Sequence, residues 1–159
     1  MVTIFRSIRD TDTPFYRDIM FVLERIKDGV HKDTVAAIRA EEDKKERNTL
    51  KQKLPAICFS GEFIKRADDS IKSHSGYICL DFDGYDTKKK MLAEKKAMVS
   101  DPYVFSVFIS PSGKGLKTIV KIPKDAENHK RYFDALKAHF NSDYFDTTSK
   151  NVSRVCYES

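Results

Sequence analysis

An apolar run that ends in two alternating carboxylates dominates the middle of the chain: Gly76-Tyr77-Ile78-Cys79-Leu80-Asp81-Phe82-Asp83-Gly84. Aromatic and β-branched residues bounded by glycines predict a buried strand that stops at Gly84. Side chains alternate faces along a strand, so Asp81 and Asp83 project from one face, roughly 6–7 Å apart at the backbone. Phe82 projects from the other, into a core. Two like charges side by side do not stabilise a fold unless a cation sits between them. A divalent metal meets that need, because Mg²⁺ takes carboxylate oxygens and commonly substrate phosphates as well. The plain alternative is a solvated strand end whose aspartates cap a turn.

The rest of the chain reads as strands and helices in irregular order. Val2 to Arg6 is a strand. Thr13-Pro14 supplies an N-cap and a first helical position, followed by Phe15, Ile19, Val22, Leu23 and Ile26 at helical spacing up to Asp28-Gly29. A second helix starts at Lys32 or Asp33, carries Val35, Ala36 and Ile38, and runs into the mixed-charge segment 41–47 as a solvated end. Lys53 to Gly61 is a strand, and a polar loop through Asp68-Asp69-Ser70 leads to the central run. Asp86 to Ser100 is a basic-faced helix with Met91, Leu92 and Met98 on its apolar side, ended by Asp101-Pro102. Tyr103 to Ile109 and Leu116 to Ile122 form a hairpin. Asp125 to Phe140 is a helix that turns Tyr132, Phe133, Leu136 and Phe140 inward, and Val152 to Tyr157 is a last strand after a loop. This order predicts an α+β fold, a mainly antiparallel or mixed sheet with helices packed on one side.

A chain of 159 residues suits one domain with its own core. Residues 1–50 form an N-terminal strand and helical part, and residues 51–159 a core of catalytic type. The abrupt end after a strand leads us to expect a piece of a longer protein. Charged residues make up 33% and hydrophobic ones 40%, which is the balance of a soluble globular domain. No apolar run approaches the roughly 20 residues of a membrane span, and the N-terminus lacks a signal-peptide core, so a cytoplasmic protein without a membrane partner is expected. The net charge of +5 suits a polyanionic partner without demanding one. Cys58, Cys79 and Cys156 form no C-x-x-C pair, and the four histidines lack ligand spacing, so neither a disulfide nor a zinc site is expected.

Two further stretches carry chemistry. In Ser110-Pro111-Ser112-Gly113-Lys114-Gly115-Leu116-Lys117, glycines and small hydroxyl residues let backbone N–H groups approach an anion, and two lysines add charge. The order is not that of a P-loop, and a strand follows rather than a helix. Asp146 offers a third carboxylate to a metal site. Arg154 alternates with Val152, Val155 and Tyr157, which puts it on one sheet face, where it can bind phosphate bidentately.

These three stretches, in this order and spacing, resemble the primase-polymerase side of the archaeo-eukaryotic primase superfamily. The resemblance is closer to the primase-polymerase-like domain, also labelled VirE N-terminal, of Bacteroides-type mobile-element proteins. Lys53 to Phe63 and His74-Ser75-Gly76 match it too, so it covers roughly residues 50 to 159. It implies an RRM-like core and a DNA primase/polymerase-type nucleotidyltransferase of a replication or mobile-element protein. Asp81, Asp83 and Asp146 would hold Mg²⁺ or Mn²⁺. Ser110, Ser112, Gly113, Lys114, Gly115, Lys117 and Arg154 would contact the nucleoside triphosphate. DNA, as a single strand or primer-template, would be the partner, with a fused or associated helicase-like domain.

The family commonly places a histidine where this chain has Lys117, and lysine holds phosphate as a point charge rather than as a neutral acceptor. A catalytically silent nucleotide- or DNA-binding module is therefore the second reading, with Lys88, Lys89, Lys90, Lys95 and Lys96 as a stripe for a phosphate backbone. The central run also resembles the first motif of haloacid dehalogenase-type phosphatases. That reading lacks a later paired-aspartate motif, has Tyr85 after Gly84, and expects a parallel sheet.

Overall fold

The computed structural model describes residues 1–159. In chain order it contains β1 (Val2–Phe5), β2 (Phe15–Arg17), α1 (Ile19–Lys27), α2 (Lys32–Ala40), α3 (Lys44–Lys51), β3 (Ala56–Cys58), β4 (Gly61–Phe63), β5 (Ile71–His74) and β6 (Tyr77–Phe82). α4 (Lys88–Val99), β7 (Val104–Ile109), β8 (Leu116–Lys121), α5 (His129–Phe140) and β9 (Cys156–Tyr157) complete it. The fold is α+β. Every strand pairing is antiparallel: a four-stranded sheet β2-β1-β3-β9, a β4–β5 hairpin, and a three-stranded sheet β6-β8-β7.

The β6-β8-β7 sheet is covered on both faces, not one. Ile78, Leu80, Phe82, Leu116 and Val120 pack against Met91 and Met98 of α4 and Phe133 and Leu136 of α5. The opposite face, with Cys79, Phe108 and Ile119, packs against Val2, Ile57 and Phe59 and against Ile19 and Val22 of α1. Alternation along β6 thus sends Phe82 into one core and Asp81 toward the other face. No helix is long and apolar enough to cross a membrane.

Four sequence expectations shift. The Thr13-Pro14 signal does not start α1. Asp10 accepts the Thr13 N–H instead, Phe15–Arg17 pair with β1, and Asp18 becomes the N-cap by accepting the Met20 N–H. Segment 41–47 is not one helix end, because α2 stops at Glu41 and Asp43 caps α3 through the Glu46 N–H. β5 has too little apolar alternation to read as a strand, yet it pairs tightly with β4, where a Cβ on Gly61 would overlap the Ser73 carbonyl oxygen. The last strand shrinks to Cys156–Tyr157, because Asp68 accepts the Ser153 N–H and hydroxyl and holds residues 151–154 in a turn.

Two histidines without ligand spacing also meet. The Gly76 N–H donates to His74 Nδ1, which leaves the Nε2 proton of His74 to His129 Nδ1 at 3.0 Å. His129 is 3% exposed, and burial pushes its pKa down to about 4.

Candidate functional site

The β6–β8 register places Asp81 directly opposite Lys117, and the Lys117 Nζ lies 2.5 Å from Asp81 Oδ1. Side chains directly opposite in an antiparallel pair share a face, so the ion pair follows from the register. Both groups are buried, with side chains 13% and 7% exposed. Burial alone would lower the Lys117 pKa, but the Asp81 carboxylate beside it holds it above the ordinary lysine value. Lys117 is a fixed cation.

β6 is an edge strand, and its free edge receives residues 144–146. Asp83 N–H donates to the Tyr144 carbonyl at 2.8 Å, Asp146 N–H donates to the Asp81 carbonyl at 2.9 Å, and Phe82 bridges Phe145. Phe145 drives this docking by packing edge-to-face on Phe82 and Phe133 in the α4–α5 core. Asp146 is thereby set beside Asp81. The Ser149 hydroxyl, 1% exposed as a residue, lies 2.7 Å from Asp146 Oδ2 and 3.4 Å from Asp81 Oδ2. Thr148 donates its N–H and hydroxyl to Asp146 Oδ1. Burial would raise the Asp146 pKa, but these hydrogen bonds and the Arg154 charge hold it below the usual value.

Asp83 is different. It makes an ion pair with no residue, and its carboxylate accepts no hydrogen bond. Asp83 is exposed as a residue, but its Oδ1 lies against the Gly115 backbone and its pKa is raised. Burial raises it most, Lys117 counters, and the charges of Asp81 and Asp146 raise it further. The cleft therefore holds three carboxylates, two of them neutralised by cations and one not.

Arg154 does not sit on a sheet face. The turn pinned by Asp68 carries it to 3.6 Å from both Asp81 Oδ2 and Asp146 Oδ2, so its charge is spent on carboxylates rather than left free. The Ser110–Gly115 turn lies alongside. Ser110 is buried and staples the turn, accepting the Gly115 N–H and pairing with the Ser112 hydroxyl at 3.2 Å. Gly113 has φ +74°, a conformation other residues rarely adopt, and backs onto Arg39. Gly115 has no room for a side chain, because a Cβ there would overlap Asp83 Oδ1 and meet the Phe82 carbonyl at 2.6 Å. Lys114 is exposed and forms no ion pair, which leaves it free for an anion.

All ten sequence-derived site residues thus fall around one end of the β6–β8 pair. Three more belong there: Ser149 as the hydroxyl between two aspartates, Arg39 behind the turn, and Lys51, whose charge couples to Asp83 and Lys117. Ser149 lay within a motif already singled out, and its position three residues after Asp146 was the available signal. Nothing local marks Lys51 or Arg39. The lysine stripe of α4 is solvent-facing apart from the half-buried Lys95, and Lys90 pairs with Asp86 at 2.6 Å.

The donor types are those a hard divalent cation takes, although no three ligating side chains converge as a ready-made metal-ligand group. Carboxylate oxygens are what Mg²⁺ and Mn²⁺ take, and Asp83 is an unneutralised carboxylate beside two others. The antiparallel β6-β8-β7 sheet gives the dehalogenase-type reading no parallel neighbours for β6.

No curated protein and no solved structure matches the chain. A family model described as BT4734-like, N-terminal domain matches residues 49–159, which contain all ten sequence-derived site residues and Ser149. The chain belongs to the BT4734-like N-terminal domain family.

Proposed function

We propose that this domain binds nucleoside triphosphates as their Mg²⁺ or Mn²⁺ complexes and transfers nucleotidyl groups in the manner of a primase-polymerase. The observation that carries this reading is the unneutralised Asp83 next to Asp81 and Asp146, beside a glycine-rich turn with a free lysine. Asp83, with Asp81 and Asp146, would hold the ion. When bound, it supplies charge neutralisation at the triphosphate and activation of a 3′-hydroxyl.

The chain's own residues do the rest. Lys114 and the backbone N–H groups of the turn take phosphate oxygens. Lys117 and Arg154 hold Asp81 and Asp146 in place by ion pairs, and the Arg154 charge helps keep the Asp146 pKa low. Ser149 fixes the separation of those two carboxylates. Of the three carboxylates only Asp83 lacks a paired cation, so an ion held here would need phosphate oxygens to complete its ligand set.

One observation favours a second reading, a nucleotide- or DNA-binding module without turnover: the Lys117 ammonium is bonded to Asp81, at the place where the resembled family commonly has histidine. A single assay separates the two. Labelled-nucleotide incorporation on a single-stranded DNA template is measured with Mn²⁺, with Mg²⁺ and without metal, in the wild type and in Asp83→Asn. Metal-dependent incorporation that Asp83→Asn abolishes supports transfer. Metal-dependent nucleotide binding without incorporation, lost in the same variant, supports the silent module. Incorporation undiminished in Asp83→Asn contradicts both.

A further inference from the structure

The β7 strand closes one side of the β6-β8-β7 sheet, and its outer edge has no partner. The bond from Ser110 N–H to the Gly115 carbonyl fixes the phase of the hairpin. In an antiparallel pair the bonded residues alternate, so Ser106 and Phe108 turn their N–H and C=O groups to β8. Val107 and Ile109 turn theirs outward. No backbone or side-chain group of the protein meets those four polar groups. Unpaired strand edges of this kind are templates for another strand, and proteins ordinarily block them with a bulge, a proline or an inward charge. The bulge here lies between Val104 and Ser106, at the far end, and leaves residues 106–109 straight.

The edge does not face open solvent. It forms one wall of a groove of about 910 Å³ whose other wall is α1 and α2, with Leu23, Ile26 and Val35 among its apolar residues. Lys27, Lys32, Arg39 and Lys95 also line it, none of them in an ion pair, against a single unpaired carboxylate, Glu24. Arg25 and His31 are taken by Glu158. The groove is thus an apolar slot with a basic rim along a strand edge.

We propose that this groove binds an extended acidic peptide segment that adds a strand to β7. Main-chain hydrogen bonds to Val107 and Ile109 supply affinity, and alternate side chains supply selectivity. Apolar residues at every second position enter the slot against Leu23, Ile26 and Val35, and carboxylates between them meet the basic rim. A second copy of this chain fits less well, because edge-to-edge pairing would bring two basic rims together. Single-stranded nucleic acid needs exposed aromatic faces to stack on. Of the two phenylalanines that line the groove, Phe108 is buried and Phe105 is already covered by Tyr77 at 4.9 Å and by the Lys121 ammonium at 4.8 Å. The inference stands apart from the nucleotide reading, since it uses none of the aspartates.

The test uses a fluorescein-labelled peptide that alternates glutamate and valine over seven residues, titrated into the protein by anisotropy, with amide hydrogen exchange read at Val107 and Ile109. Saturable binding is expected, with both amides protected and no binding of the lysine-for-glutamate peptide. Val107→Pro removes an outward N–H without touching the β7–β8 ladder, so it should weaken binding about tenfold. Amide protection in the wild type tests the same contact should that variant lose its fold. No saturable binding at about 1 mM peptide overturns the proposal. So do an undiminished affinity in a folded Val107→Pro, protection of these amides by an oligothymidylate but not by the peptide, and protection that tracks self-association.

Discussion

Two charged clusters in the molecule are built on different terms. At the edge of the four-stranded sheet, Glu158 is 1% exposed and answers to two basic side chains, Arg25 at 2.5 Å and His31 at 3.1 Å. It ties α1 to β9, and both of its carboxylate oxygens have a basic partner. At the end of β6, three carboxylates share Lys117 and Arg154, and Asp83 is left over. A closed cluster is architecture. The unbalanced one is the feature from which cation binding is proposed.

The comparison breaks most readily through stability. Lys117→Met leaves the buried Asp81 with only the part-exposed Arg154, 3.6 Å away, so chemical denaturation should show a loss of about 3 kcal/mol, most of it recovered when Asp81→Leu is added. Asp81→Asn would likewise strand Lys117, so it is not a fold-neutral probe of the site. Glu158→Gln keeps hydrogen-bonding capacity beside a part-exposed Arg25 and should cost less, roughly 1–3 kcal/mol. A larger loss from Glu158→Gln than from Lys117→Met would invert the ranking of the two clusters.

A third polar contact, His74 with His129, is uncharged and separates from both clusters by pH. The folded-state pKa of His129 is depressed from 6.5 to about 4, so the unfolded chain binds the extra proton between those values. Its contribution is fully present above pH 6.5 and is lost as pH falls, at up to about 1.4 kcal/mol per pH unit. Urea denaturation midpoints measured from pH 7 to pH 4 should fall accordingly, and His129→Leu should flatten that part of the profile.

Gly115→Ala drives a methyl group into Asp83 and the Phe82 carbonyl, with an expected loss of about 1–3 kcal/mol and displacement of Asp83. The same denaturation assay reads the first, and metal-dependent nucleotide binding reads the second. Asp83→Asn has the smallest expected effect on stability. The raised folded pKa means that the ionised carboxylate opposes folding near neutral pH, so its removal should leave the melting temperature unchanged or slightly higher.

Much of this was legible because local rules and tertiary outcome agree. Alternation put Asp81 on the face of β6 away from Phe82, with Asp83 just past the strand end, and the Ser110–Gly115 turn put Lys117 on the return strand. What alternation does not encode is register, and register decides that Lys117 meets Asp81 rather than a ligand. Arg154 was assigned to a strand face because apolar residues alternate around it. The strand failed there because Asp68, 85 residues away, captures Ser153 and imposes a turn. Lys51 and Arg39 reach the cleft only through the packing of α2 and α3, where the local sequence is a string of ordinary surface charges. The Thr13-Pro14 start signal lost to Asp18, a cap with an actual N–H to accept.

The central claim is that Asp83 is a carboxylate waiting for a cation that arrives with a nucleotide. Electron paramagnetic resonance of Mn²⁺, titrated with and without a deoxynucleoside triphosphate, tests it directly. The wild type should bind Mn²⁺ weakly alone and at least about tenfold more tightly with the triphosphate, and a folded Asp83→Asn should lose that gain. A gain of the same size in Asp83→Asn, or none in the wild type, would contradict the account.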